Sequence, residues 1–175
     1  MSQLRRRRET AAEAHRPKHI KLLLIAEAPP DPPGAYFYYP DPGSMDPLFD
    51  GVCHVLFDEP ASADKPPRLK ELRRRGVFVI ELAPDGAGGN LDELAQWLPL
   101  RVETLAPDQI VLIGASVHRA GFKKLEAAGL PVVDKRVVAP EAGDRAAFAG
   151  ELRSALVRAG LEKLIKPLPR PKASG

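Results

Sequence analysis

Residues 22 to 40 read LLLIAEAPPDPPGAYFYYP. Leu22 to Ala26 are continuously apolar, and the run stops at Glu27 before a loop of prolines and one glycine. A short apolar run bounded by turn residues predicts a strand covered on both faces, as in a parallel sheet between helical layers. The loop then carries four rings in succession, Tyr36, Phe37, Tyr38 and Tyr39.

Working outward, the strand extends from Ile20 to Ala26, and similar runs recur at Val77 to Leu82 and Gln109 to Gly114, with a weaker one around Pro131 to Val138. Helical patterns fill the intervals. Ser44 is placed to cap a helix through Met45, Leu48, Phe49, Val52, Val55 and Leu56. Arg68 to Arg75 is a second helix, and Asn90 caps a third with Leu91, Leu94, Ala95 and Leu98 inward. Ser116 to Ala128 closes on Gly129 and Pro131, and Asp144 opens a helix with Phe148, Leu152, Ala155, Leu156 and Ala159 on one face. Right-handed crossovers turn this order into an α/β fold, a three-layer α/β/α sandwich around a parallel sheet of about four strands.

At 175 residues the chain suits one domain, and 28% charged against 44% hydrophobic residues is ordinary for a globular protein. A single cysteine, Cys53, excludes an internal disulfide and suggests a reducing cytoplasmic compartment. No segment approaches the length of a membrane span, so no membrane partner is expected. No Cys/His cluster has metal-ligand spacing, so neither metal nor cofactor is expected.

Charge is concentrated at the ends. Residues 1 to 21 are net +5 and residues 162 to 175 net +3, leaving about −5 for the body of a chain that is +3 in total. Residues 1 to 17 and 166 to 175 read as basic flexible tails around a domain spanning 18 to 165. Basic ends attract polyanions through counterion release, which makes DNA, double- or single-stranded, the expected partner; solvated ends with no partner give the same pattern.

In open parallel sheets ligands bind outside the carboxyl ends of the strands. That edge collects Glu27 with the ring-bearing loop, Glu81 with Ala83 to Gly86, Gly114 to Ser116, and Ala139 to Gly143. A carboxylate at Glu27 can orient water or stabilise a cationic sugar, or it can pair with a helix N-terminus. The four rings can stack a base or plug the loop onto the sheet. His118 reads as a surface histidine, His54 as a structural one within an apolar helix, Gly86 to Gly89 as a loop, and Ser116 lies outside any nucleophile-elbow pattern.

The sequence AEAPP after an apolar strand, followed by a proline/glycine loop and aromatics, resembles the first motif of the uracil-DNA glycosylase superfamily, one branch of which reads Gly-Glu-Ala-Pro-Gly. GVFVIEL, residues 76 to 82, is similar to its second strand, and PDQIVLIGASVHRAGF, residues 107 to 122, to its third strand and following helix. The resemblance runs over roughly residues 19 to 157. It implies base excision in DNA repair, by hydrolysis of an N-glycosidic bond in a flipped-base pocket. On that pattern Glu27 is the catalytic carboxylate, one of Tyr36, Phe37 and Tyr38 the stacking platform, and Glu81 the base-reading residue.

Two departures bear on activity. Glu81 stands where the superfamily commonly has Asn, and an ionised Glu only accepts hydrogen bonds; the pocket then prefers an amino-bearing base, or burial keeps Glu81 protonated. The last motif, commonly His-Pro-Ser, has Ala139-Pro140-Glu141-Ala142 as its counterpart, keeping the proline without the imidazole. The expectation is therefore a divergent glycosylase of weak or altered specificity. The alternatives are an inactive nucleic-acid-binding protein with the same fold, and hydrolysis of a small nucleoside or other N-glycoside.

Overall fold

The computed structural model describes residues 1–31, 33–40, 46–59, 64–140 and 144–169. Three strands, β1 (Leu22–Ala26), β2 (Val77–Glu81) and β3 (Gln109–Leu112), form one parallel sheet in the order β2-β1-β3. Leu22 pairs with both Val77 and Gln109, so the register is set from the first residue of the central strand. Leu22 to Ile25 are completely buried, as the unbroken apolar run requires. Each such side chain contributes about 1.5–3 kcal/mol by leaving water.

The weak fourth strand is reduced to two isolated parallel bridges, Ile110 with Val132 and Ile113 with Val137. Five positions on the outer segment advance against three on β3, so the polar stretch Asp134-Lys135-Arg136 bulges away from the ladder. Regular pairing cannot run through that excess.

Helices α1 (Gln3–Ala14), α2 (Pro47–Phe57), α3 (Lys65–Arg75), α4 (Leu91–Ala95), α5 (Leu98–Leu105), α6 (Ala115–Ala127) and α7 (Arg145–Arg158) surround the sheet. α2 packs on α7, while α6 packs on α4 and α5. These groups are the outer layers that the alternating element order predicts. Gly51 permits the α2–α7 contact, since a Cβ there would lie 2.6 Å from the Phe148 ring.

Asn90 and Asp144 cap α4 and α7 as the sequence predicts. Three features differ. α2 is capped by Asp46, whose Oδ1 accepts from Leu48 N–H at 2.9 Å; Ser44 and Met45 lie outside the described residues. The helix after Asn90 breaks at Gln96-Trp97 and restarts as α5, where Pro99 cannot supply an amide donor to continue the first segment. His54 is exposed rather than enclosed, with Nδ1 3.3 Å from the Glu59 carbonyl.

The N-terminal segment is the largest departure. Residues 3 to 14, expected within a flexible tail, form α1, capped by the Ser2 hydroxyl. This helix lies along the free edge of β2: Arg8, Ala12 and Glu13 share a hollow with Val79, Ile80 and Glu81. Its arginines are drawn into packing, Arg7 over the Tyr39 ring at 5.0 Å and Arg8 over Tyr36 at 5.8 Å. At the other end, Lys166 N–H donates to the Leu56 carbonyl and Arg75 reaches the carbonyls of Lys166 and Pro167, so the start of the second expected tail is also tied to the body. Residues 170 to 175 lie outside the described part. Among the described residues no helix is long and apolar enough to cross a membrane.

Candidate functional site

The chain leaves β1 toward β2 on one side and leaves β3 toward the bridged segment on the other. The strand order therefore reverses between β1 and β3, and the loops beyond their carboxyl ends diverge to leave a crevice. A cavity of ≈ 740 Å³ lies there.

Glu27 follows the last residue of β1 and Ser116 lies in the first turn of α6, which starts where β3 ends. The Ser116 hydroxyl donates to Glu27 Oε2 across that crevice. Glu27 is thus both a wall of the cavity and a partner of the α6 N-terminal turn, combining the two roles open to it from sequence. Its backbone carbonyl also accepts from Ala83 N–H at 2.7 Å, tying the loop after β1 to the loop after β2.

Glu81 enters from the end of β2 and Asp46 from the cap of α2, so three carboxylates line one hollow. Burial raises the Glu81 carboxyl to about 7, Asp46 reinforces the rise, and Arg101 and Arg8 oppose it. Arg119, one turn beyond Ser116 on α6, supplies a cation at the rim. Pro29, Pro30, Leu48, Ile113, Val138 and Ala139 make the remaining wall largely apolar. Glu151 Oε2 holds the last part of that wall by accepting from Val138 N–H at 2.6 Å.

The residues predicted for the site divide. Glu27, Glu81 and Ala139 line the cavity, while Pro140 is buried and is not among its lining residues. Tyr36, Phe37 and Tyr38 do not line it, being only 2%, 2% and 3% exposed. Phe37 packs edge-on against Phe49 at 5.2 Å, and Tyr38 lies tilted over Phe78 at 5.7 Å. The Tyr38 hydroxyl accepts from Val79 N–H at 2.7 Å and donates to Val79 C=O at 3.2 Å, closing the free edge of β2. The ring-bearing loop is therefore core, because an uncovered sheet edge and the underside of α1 both need apolar cover. Glu141 and Ala142 lie outside the described residues.

Other reactive groups stand apart. His118 stacks on Phe122 at 4.9 Å, and burial lowers its basicity. Cys53 is buried, with its thiol pushed up to about 12, which leaves it without thiolate character near neutral pH. Among the described residues no group of three metal-ligating side chains converges. Ser116 lines the cavity at the strand-end edge where the sequence placed it, whereas Arg119 and Asp46 were not singled out as cavity residues from sequence. The i, i+3 spacing of Ser116 and Arg119 in a helix beginning at the end of β3 is the signal that points to Arg119.

The sequence matches no protein-family model and no curated protein.

Proposed function

We propose that the protein hydrolyses the N-glycosidic bond of a nucleobase in DNA, with Glu27 as the catalytic carboxylate and Glu81 as the residue that reads and protonates the base. The observation that carries this reading is the convergence of Glu27 and Glu81 in one apolar-walled cavity at the reversal of strand order. The net charge of +3 and the exposed Arg6 and Arg7 on α1 are consistent with a polyanionic substrate.

A neutral Glu81 resolves the difficulty posed by a glutamate at the reading position. The acid form has one O–H donor and one carbonyl acceptor, the same pair an amide offers. It can therefore face both the O4 and the N3–H of uracil, while the ionised form suits an amino-bearing base. With its carboxyl raised to about 7, both forms are populated at neutral pH.

In the reaction the C1′–N bond breaks with its electron pair leaving on the base, and Glu27 faces the positive charge that develops on the sugar. Water adds its oxygen to C1′ and gives a proton to Glu27, while Glu81 passes its proton to the departing base. Exchange with solvent returns the proton from Glu27 and restores that of Glu81. Glu81 thus supplies the donor that the superfamily's imidazole provides, at the opposite wall from Ala139. Ser116 fixes the orientation of Glu27 by occupying one lone pair of Oε2.

A second reading, a nucleic-acid-binding protein without chemistry, is favoured by the absence of any ring or imidazole among the described cavity walls. Single-turnover excision on oligonucleotides carrying uracil, cytosine or adenine lesions separates the two. Base release by wild type, slowed about a hundredfold or more in Glu27→Gln, is expected. Equal product from both removes Glu27 from catalysis, and salt-dependent binding with no release selects the second reading.

A further inference from the structure

Glu81 faces a second hollow on its other side. This space of ≈ 170 Å³ lies between α1, the edge of β2 and α5, and three arginines line it: Arg5, Arg8 and Arg101. Several times the ~30 Å³ share of one liquid water, it has room for a small polyatomic ion.

The arginines are not equally engaged. Arg5 is ion-paired with Glu9 and Asp85, each at 2.8 Å, and Glu13 bonds Arg16 at 3.4 Å, so those acidic neighbours already have partners. Among the described residues Arg101 donates to backbone carbonyls, those of Glu81 at 2.8 Å and Leu82 at 3.3 Å. Arg8 is 6% exposed, rests over the Tyr36 ring, and has its Nε buried with no hydrogen-bond partner among the described residues. Two guanidinium groups lining one hollow, neither ion-paired with a carboxylate among the described residues, are arranged for an acceptor-rich anion.

We propose that this hollow is a binding site for a tetrahedral oxyanion, phosphate or sulfate in class, held by Arg8 and Arg101 and coupled to the protonation of Glu81. The titratable and charged groups that line the two hollows with Glu81 are Arg5, Arg8, Glu9 and Glu13 from α1, Tyr36 from the ring-bearing loop, Arg101 from α5, and Asp46, Glu27 and Arg119 in the main cavity. An anion beside Arg8 and Arg101 offsets the two cations that favour ionised Glu81, so occupancy and proton uptake reinforce each other. The site stands independently of the glycosidic reading, since it needs no turnover.

Sulfate is the probe, because its charge is constant across the range used. Titrated into the full chain and followed by calorimetry and backbone amide shifts, it is expected to move the amides of residues 8 to 13 and 79 to 84. Binding should be about fivefold or more tighter near pH 6 than near pH 8. Glu81→Gln should bind sulfate with that pH dependence flattened, and Arg8→Gln or Arg101→Gln should weaken it about tenfold or more. Amide shifts confined elsewhere in wild type overturn the proposal without reliance on any variant. So does unchanged affinity in both arginine variants, which would mean an adventitious ion only. Displacement of sulfate by a short single-stranded oligonucleotide identifies the oxyanion as a nucleic-acid phosphate, whereas no displacement identifies a free ion.

Discussion

The hydroxyl of Ser116, at the start of α6, donates to the carboxylate of Glu27, at the end of β1, across the point where the sheet's connections part. Ser116→Ala removes that donor and keeps the helix. A hydrogen bond to a charged group contributes about 1.5–3 kcal/mol, and the cavity lets water replace part of it, so a loss near 1 kcal/mol is expected in urea unfolding. On the proposed activity, base release should slow about tenfold, less than in Glu27→Gln, because the carboxylate remains but wanders. A Ser116→Ala variant as slow as Glu27→Gln would give the hydroxyl a direct role.

Glu81 makes stability depend on pH in a direction opposite to most carboxylates. Its carboxyl moves from 4.5 to about 7 on folding, so between those values the folded chain holds a proton that the unfolded chain has released. Its contribution therefore weakens stability as pH rises from about 4.5 to about 7 and changes no further above that. The full effect is on the order of 3 kcal/mol. Glu81→Gln should be more stable than wild type near pH 8 and equal to it near pH 4, as read from denaturant midpoints at the two pH values. A gain that is the same at both contradicts this account.

Tyr38 and Tyr39 differ by one bond pattern, and their hydroxyls should respond differently to deletion. Tyr38→Phe strands the buried Val79 N–H and C=O and should cost about 1–3 kcal/mol. The Tyr39 hydroxyl is buried with no hydrogen-bond partner among the described residues, so Tyr39→Phe should be neutral or slightly stabilising. Thermal unfolding of the two variants side by side is the measurement. Neither should change base release, since neither ring lines the cavity.

Arg75 ties the C-terminal segment to α2 and α3. Its guanidinium donates to Glu71 at 2.7 Å and to the carbonyls of Leu56, Leu164, Lys166 and Pro167, over the face of Phe57. Bonds from Arg74 and then Arg75 hold the Glu71 carboxyl down to about 2. Arg75→Ala leaves Glu71 paired with Arg74 but takes a donor from the carbonyls of Leu164, Lys166 and Pro167, and should cost about 1–3 kcal/mol. Limited proteolysis should then cut first near residues 164 to 167, and wild-type resistance there would show that the latch is dispensable.

Much of the scaffold was legible in the primary structure because its signals are local. A fully buried strand must be apolar at every position, so Leu22 to Ile25, Val77 to Val79 and Ile110 to Leu112 declare themselves. The caps Asn90 and Asp144 act on amides two or three residues away. The carboxylate at the end of the first strand was legible for the same reason, since an apolar run that stops at an acid in a parallel sheet delivers that acid to the binding edge.

Tertiary structure alone decided which polar groups meet and which rings are covered. Glu27 and Ser116 are 89 residues apart, and no local pattern relates them. The four consecutive rings have the same appearance whether they face a ligand or a sheet edge, and the bare edge of β2 beneath α1 drew them inward. The N-terminal arginine run likewise reads as a solvated tail until Tyr36 and Tyr39 offer faces for Arg8 and Arg7. Burial and long-range pairing are properties of the assembled layers, and they raise the Glu81 carboxyl as well as setting its place.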